Sequence, residues 1–229
     1  MTTEHGKIKV IITGATGMVG EGVLLVCLKD PRVEKILTIS RRPAGITHQK
    51  LKEVIVEDFM DLSTVEEHLS GYDACFFCLG VSSVGMKMDA YRKVTYDITM
   101  KFGEAVSRLN RDMVFVYVSG AGTDGTEKSR VEWSRIKGKT ENDLRKMPFR
   151  RVYGYRPGFI KPLPGQKKAH AFYNYINWFF PLGKKLSPDH FNSMEELGLS
   201  MITIAIDDYP EDTVLGKDIS KLAGPEGNP

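Results

Sequence analysis

Apolar residues arrive along this chain in two alternating rhythms. Short runs rich in β-branched and aromatic residues recur at residues 7–13, 35–40, 53–57, 74–79, 113–119 and 151–155. Runs of this length with little polar alternation predict strands buried on both faces, as in a parallel sheet covered by helices. Between most of them, apolar residues fall three and four apart, predicting helices over 17–29, 63–69, 89–109, 127–145 and 194–206. The last is introduced by Ser193 with Glu196 three positions on, the spacing of a capping box. Strands alternating with helices imply right-handed crossovers, hence an α/β fold with a doubly wound parallel sheet, expected as a single domain over residues 1–229.

The alternation stops after Pro157. From about residue 159 to 192 the chain is rich in proline, lysine and aromatic residues, including Phe172, Tyr173, Tyr175, Trp178, Phe179 and Phe180. Ligands of such sheets lie beyond the carboxyl ends of the strands, so this excursion is expected to be a substrate lid. A dimer face and a peripheral membrane contact are the other readings of the aromatic run, membrane contact being the least favoured.

The first strand runs straight into Gly14-Ala15-Thr16-Gly17-Met18-Val19-Gly20, and an apolar helical pattern follows. A strand, a glycine turn and a helix start in that order form a cradle for a dinucleotide pyrophosphate, with a Rossmann-type fold around it. Gly14, Thr16, Gly17, Met18, Val19 and Gly20 are the expected contacts. About 20 residues on, an NAD site presents an acid to the ribose 2′-hydroxyl, whereas this chain reads Ser40-Arg41-Arg42. Arg41 and Arg42 suit a 2′-phosphate, so NADP is favoured and NAD remains possible. Asp58 and Phe59 end the third strand at the level expected for adenine. Cys78, Leu79 and Gly80 close the fourth, where the backbone approaches the ribose.

Composition narrows the partners. The 229 residues carry 32 basic and 29 acidic side chains, net +3, interspersed rather than in blocks, which argues against nucleic acid as the main partner. No apolar signal region opens the chain and no run reaches transmembrane length, so a cytoplasmic location is expected. Cys75 and Cys78 imitate a C-x-x-C motif, yet inside a strand they point to opposite faces, and no metal site is expected. A small molecule is the expected substrate, and a homodimer is possible.

With the glycine loop, the Leu79-Gly80 turn, Ser119 ending the fifth strand and Lys137 four residues before Glu141, residues 7–160 resemble the short-chain dehydrogenase/reductase superfamily. The likeness is greatest to its atypical, NAD(P)H-binding branch, near Tat-interacting-protein-type oxidoreductases and sugar-nucleotide-epimerase-like proteins. The resemblance implies that Ser119 orients substrate and that Lys137 holds the ribose and lowers the pKa of a tyrosine. It also implies that the backbone around Tyr155, Pro157, Gly158 and Ile160 reaches the nicotinamide. The tyrosine position is filled by Trp133, whose indole N–H donates but does not titrate. Val94-Thr95-Tyr96 stands where the family often has asparagine. Tyr91, Tyr96, Tyr153, Tyr155 and Asp124 are possible substitutes that spacing alone does not choose among. The expected function is therefore an NAD(P)-dependent oxidoreductase or nucleotide-sugar-epimerase-like enzyme on a small carbonyl or hydroxyl compound; a catalytically impaired NADPH-binding regulator or sensor is the alternative.

Overall fold

All six predicted strands form, and they pair in parallel. The computed structural model describes residues 6–167, Phe180, Gly183, Ser187 and residues 190–224. Most of the aromatic run and of the expected lid lie outside the described residues. The strands are β1 (Ile8–Thr13), β2 (Val33–Ser40), β3 (Leu51–Ile55), β4 (Ala74–Phe77), β5 (Val114–Val118) and β6 (Arg151–Arg156). Three strands of three residues follow: β7 (Phe159–Lys161), β8 (Phe191–Ser193) and β9 (Thr213–Leu215). The main sheet has the order β3-β2-β1-β4-β5-β6-β9, and β7 pairs with β8 separately. Strand order reverses between β1 and β4, so their carboxyl ends open the crevice where such sheets bind ligands.

Helices cover both faces. The α-helices with bounds among the described residues are α1 (Met18–Lys29), α2 (Met88–Arg92), α3 (Ile98–Leu109), α4 (Glu132–Leu144), α5 (Met194–Ile206) and α6 (Gly216–Ala223). Val10 and Ile12 of β1 join a core with α1 and α5, while Ile11 joins Phe77, Phe102, Phe115 and Leu144 on the opposite face. The β1 alternation thus feeds two cores, which is why its run reads as continuously apolar. Cys75 packs on the second face and Cys78 against the first, as strand geometry requires. Among the described residues no cluster of side chains could hold a metal ion.

Three helix predictions need correction. Residues 63–69 form only a 3₁₀ turn, Glu66–His68, because a segment this short closes with three-residue hydrogen bonds such as His68 N–H to Val65 O (3.0 Å). The helix predicted over 89–109 is α2 and α3 joined by a π turn at Lys93–Asp97. The helix predicted to start at 127 starts at Glu132 instead. The Asp124 carboxylate accepts from the N–H groups of Thr126 (2.9 Å), Lys128 (2.7 Å) and Ser129 (2.6 Å), and Glu127 sits at φ 59° in the left-handed region. A carboxylate that collects these donors holds the segment as a loop. The α5 capping box forms as read, with Glu196 N–H to Ser193 Oγ at 3.1 Å and Ser193 N–H to Glu196 Oε2 at 2.7 Å.

Candidate active site

The glycine turn is built by contact with the neighbouring strand end. Gly14 has φ +71°, and a Cβ there would lie 2.7 Å from the Cys78 carbonyl carbon and oxygen. At Gly20, a Cβ would lie 2.2 Å from the Gly14 oxygen. Glycine is therefore required at both positions for α1 and β4 to close on the turn. Leu79 N–H donates to Thr13 Oγ1 (3.2 Å), tying the β4 exit to the β1 exit. Gly17 differs: a Cβ there meets nothing closer than the Gly14 oxygen at 3.4 Å, so its outer side is open.

These features leave an anion site. Gly17 caps α1 without a side-chain hydrogen bond, so no side chain satisfies the first-turn N–H groups, and the helix dipole points outward. Gly14, Thr16, Gly17, Ser40, Arg41, Phe59, Cys78, Leu79 and Gly80 line one cleft there. Eight of the nine were singled out from the sequence; Ser40 was missed because a strand-end serine carries no spacing signal. The donor set and the positive helix end fit a dinucleotide pyrophosphate.

The other expected contacts surround this lining or the helix that follows it. Met18, Val19 and buried Gly20 form the first turn of α1, and Gln166 Nε2 donates to the Met18 carbonyl at 2.5 Å. Arg42 is exposed beyond the cleft lining. Asp58 also lies outside that lining, its Oδ1 accepting from Met60 N–H at 2.9 Å. Phe59 is 2% exposed and packs against Phe102 at 6.1 Å between centroids. Burial pushes the Cys78 thiol up to about 12.

The second half of the candidate site stands at the ends of β5 and β6. Ser119 is 1% exposed, and its hydroxyl lies 2.5 Å from Glu141 Oε1 and 3.1 Å from the Tyr155 carbonyl as donor. The buried Glu141 carboxylate also accepts from Arg156 Nη2 (2.6 Å) and Nε (3.1 Å) and lies 3.6 Å from Arg145 Nη2. One carboxylate thereby joins β5, β6 and α4. The Tyr155 and Pro157 carbonyls are taken up by Ser119 N–H (2.9 Å) and Ala121 N–H (2.8 Å). The Tyr155 ring and Ile160 belong to the core, and Gly158 packs on the His190 backbone.

Lys137 belongs to the same helix as Glu141. One turn before Glu141 on α4, it donates its ammonium to the Ser119 carbonyl and stands 5.9 Å from the Trp133 ring centroid. Burial lowers its pKa, and the Glu141 charge opposes that shift. The substitute acids are buried or hydrogen-bonded, and the Tyr155 hydroxyl is buried without a hydrogen-bond partner among the described residues. Tyr91, Tyr153 and Tyr155 are at most 1% exposed. Tyr96 donates to Asp143 at 2.7 Å, and the hydrogen bonds that Asp124 accepts from Thr126 and Ser129 hold its carboxyl down to about 2. Glu141, the hub of this half, was noted from the sequence only for its spacing from Lys137; the signal available was its place one turn on, with arginine ending β6.

Known proteins resemble the chain on these same elements. Residues 9–98 match the family described as Semialdehyde dehydrogenase, NAD binding domain. "Protein FMP52, mitochondrial" of Debaryomyces hansenii is 26% identical over 197 residues, 85% of this chain and 84% of that protein. "Protein HTATIP2" of Rattus norvegicus is 26% identical over 171 residues, covering 72% and 69%. A UDP-N-acetylglucosamine 4-epimerase from Methanobrevibacter ruminantium superposes with TM-score 0.65 at 16% identity, covering 91% of this chain and 75% of that one. The L-sorbose reductase of Gluconobacter frateurii, solved with NADPH and L-sorbose, superposes with TM-score 0.64 at 14% identity, covering 93% and 95%. The expected cytoplasmic location is overturned: four fungal relatives carry "mitochondrial" in their names. Among the described residues no helix is long and apolar enough to cross a membrane. Cleft, topology and relatives agree: the chain belongs to the atypical, NAD(P)-binding branch of the short-chain dehydrogenase/reductase superfamily.

Proposed function

We propose that this protein is an NADP-preferring oxidoreductase or epimerase-like enzyme acting on a small carbonyl or hydroxyl compound. The observation that carries the reading is the cleft at the strand-order reversal, with an open helix N-terminus on one wall and Arg41 in its lining. Arg41 stands where an NAD site would carry an acid, and a guanidinium binds a 2′-phosphate with charge-assisted bonds. Bound there, a nicotinamide dinucleotide supplies the hydride. Gly14, Thr16 and Gly17 would hold its phosphates, and Lys137 would bind ribose hydroxyls or hydrogen-bond the reacting oxygen. Trp133 would wall the site beside Lys137 without exchanging protons. Calorimetric titration tests the cofactor reading: NADPH should bind at least tenfold more tightly than NADH, and equal affinities would overturn the preference.

Gly17→Val supplies a second test. Open space at this Cβ lets the variant fold, while the added side chain covers the N–H groups that a pyrophosphate would use. Circular dichroism should match wild type and NADPH binding should fall below detection. A Gly17→Val protein stabilised by NADPH as wild type is would remove Gly17 from the phosphate site.

The second reading, a cofactor-binding sensor without turnover, is favoured by one observation: the indole of Trp133 stands beside Lys137 in place of a phenol. Occupancy would then bias a conformation instead of driving chemistry. Rates on a carbonyl panel with NADPH separate the two.

A further inference from the structure

We propose that Ser40 and Glu53 are positioning residues for recognition of a ribose 2′-phosphate, acting through the strap that carries Arg41. This inference rests on the dinucleotide reading of the cleft. No helix or strand runs between the end of β2 at Ser40 and the start of β3 at Leu51, so the arginine in the cleft lining stands on irregular chain. Two side chains bracket it. Ser40 is 3% exposed, and its hydroxyl donates back to the Arg42 carbonyl at 2.6 Å, closing a tight loop around Arg41. Two residues further, Ala44 N–H donates to Glu53 Oε2 at 2.8 Å.

Between the brackets lies Pro43. Its ring fixes its own φ and holds Arg42 to extended backbone, so the stretch from Ser40 to Ala44 has little freedom left. The second bracket is itself anchored by the sheet. Thr38 of β2 pairs in register with Glu53 of β3, and Thr38 Oγ1 lies 3.5 Å from the same Glu53 oxygen. The carboxylate therefore sits at a fixed height in the sheet, below the cleft floor that Ser40 helps to line.

This arrangement assigns different parts of the two arginines to different work. Arg41 contributes to the cleft lining. Arg42 contributes the carbonyl that Ser40 captures, which fixes the direction in which Arg41 leaves the backbone. An arginine on a preset strap loses less freedom on capturing a dianion than one on a mobile loop, so the brackets add affinity where the ligand carries the extra phosphate. They add little where it carries a hydroxyl. The signature of Ser40 and Glu53 is accordingly a ratio between two ligands, which a residue needed only for folding would leave alone.

The test is equilibrium titration of the full chain with 2′,5′-ADP (adenosine 2′,5′-bisphosphate) and with 5′-AMP, which differ only in the 2′-phosphate. Wild type should prefer 2′,5′-ADP, and Arg41→Ala should cut the preference about tenfold or more. Ser40→Ala should narrow it by about threefold or more, Ser40→Thr should recover most of the loss, and Glu53→Leu should move the ratio the same way as Ser40→Ala. Ser40→Ala and Glu53→Leu proteins that keep the wild-type ratio, or that lose both ligands in equal proportion, overturn the inference and leave the NADP reading standing. A wild type that binds the two nucleotides equally overturns both.

Discussion

Glu141→Leu is expected to lower stability by about 3 kcal/mol, a Tm shift of about 6–12 °C for a chain of this length. The carboxylate is wholly buried and serves Ser119, Arg156 and Arg145 together. Removing it leaves two guanidinium groups over an apolar side chain and leaves the Ser119 hydroxyl only the Tyr155 carbonyl at 3.1 Å, which is why losing one partner of a buried pair costs more than the pair contributes. Both arginines keep about a fifth of their side-chain surface in water, so the cost belongs at the lower end of the range for buried pairs. Glu141→Gln, which retains an acceptor of the same shape, should lose less than Glu141→Leu. Urea denaturation monitored by circular dichroism measures both. A loss below about 1 kcal/mol for Glu141→Leu would show that the two strands and one helix meeting here do not depend on the carboxylate.

The second large effect concerns the reaction. Trp133→Tyr is expected to raise NADPH-dependent carbonyl reduction by roughly 10²–10⁴, the usual worth of a positioned proton donor. Lys137 already stands beside the ring at 5.9 Å, partly desolvated and fixed on the Ser119 carbonyl, so a phenol at this position gains a cationic neighbour that favours its ionised form. The gain does not count on Ser119, whose hydroxyl is spent on Glu141. Steady-state rates of wild type, Trp133→Tyr and Lys137→Ala on one carbonyl panel decide the matter. A wild type that is active and indifferent to Lys137→Ala would remove Lys137 from the chemistry and leave only the cofactor cleft.

The sequence pattern carried the six long strands and the glycine cleft because both depend on what is local. An apolar run of five or six residues has few ways to be buried, and glycines at 14 and 20 mark places where backbone meets backbone. It did not carry the direction of buried polar groups. Ser119 matched a catalytic serine by position, yet its rotamer is set by a carboxylate 22 residues away and by an arginine ending another strand. The late start of α4 has the same kind of cause: helix-favouring residues yield to the donors gathered by Asp124. Three-residue strands such as β7 and β9 are too short for any period to register.

Gly154 has a consequence for how this chain can change. It lies within a strand, where glycine ordinarily weakens pairing, and a Cβ there would stand 2.6 Å from the Glu141 carboxyl carbon. Size at 154 and reach at 141 are thus one shared variable. Each substitution alone breaks a fit that a matched pair of changes preserves, so the two positions should show strong non-additivity in a double-mutant cycle and drift through related sequences together rather than singly.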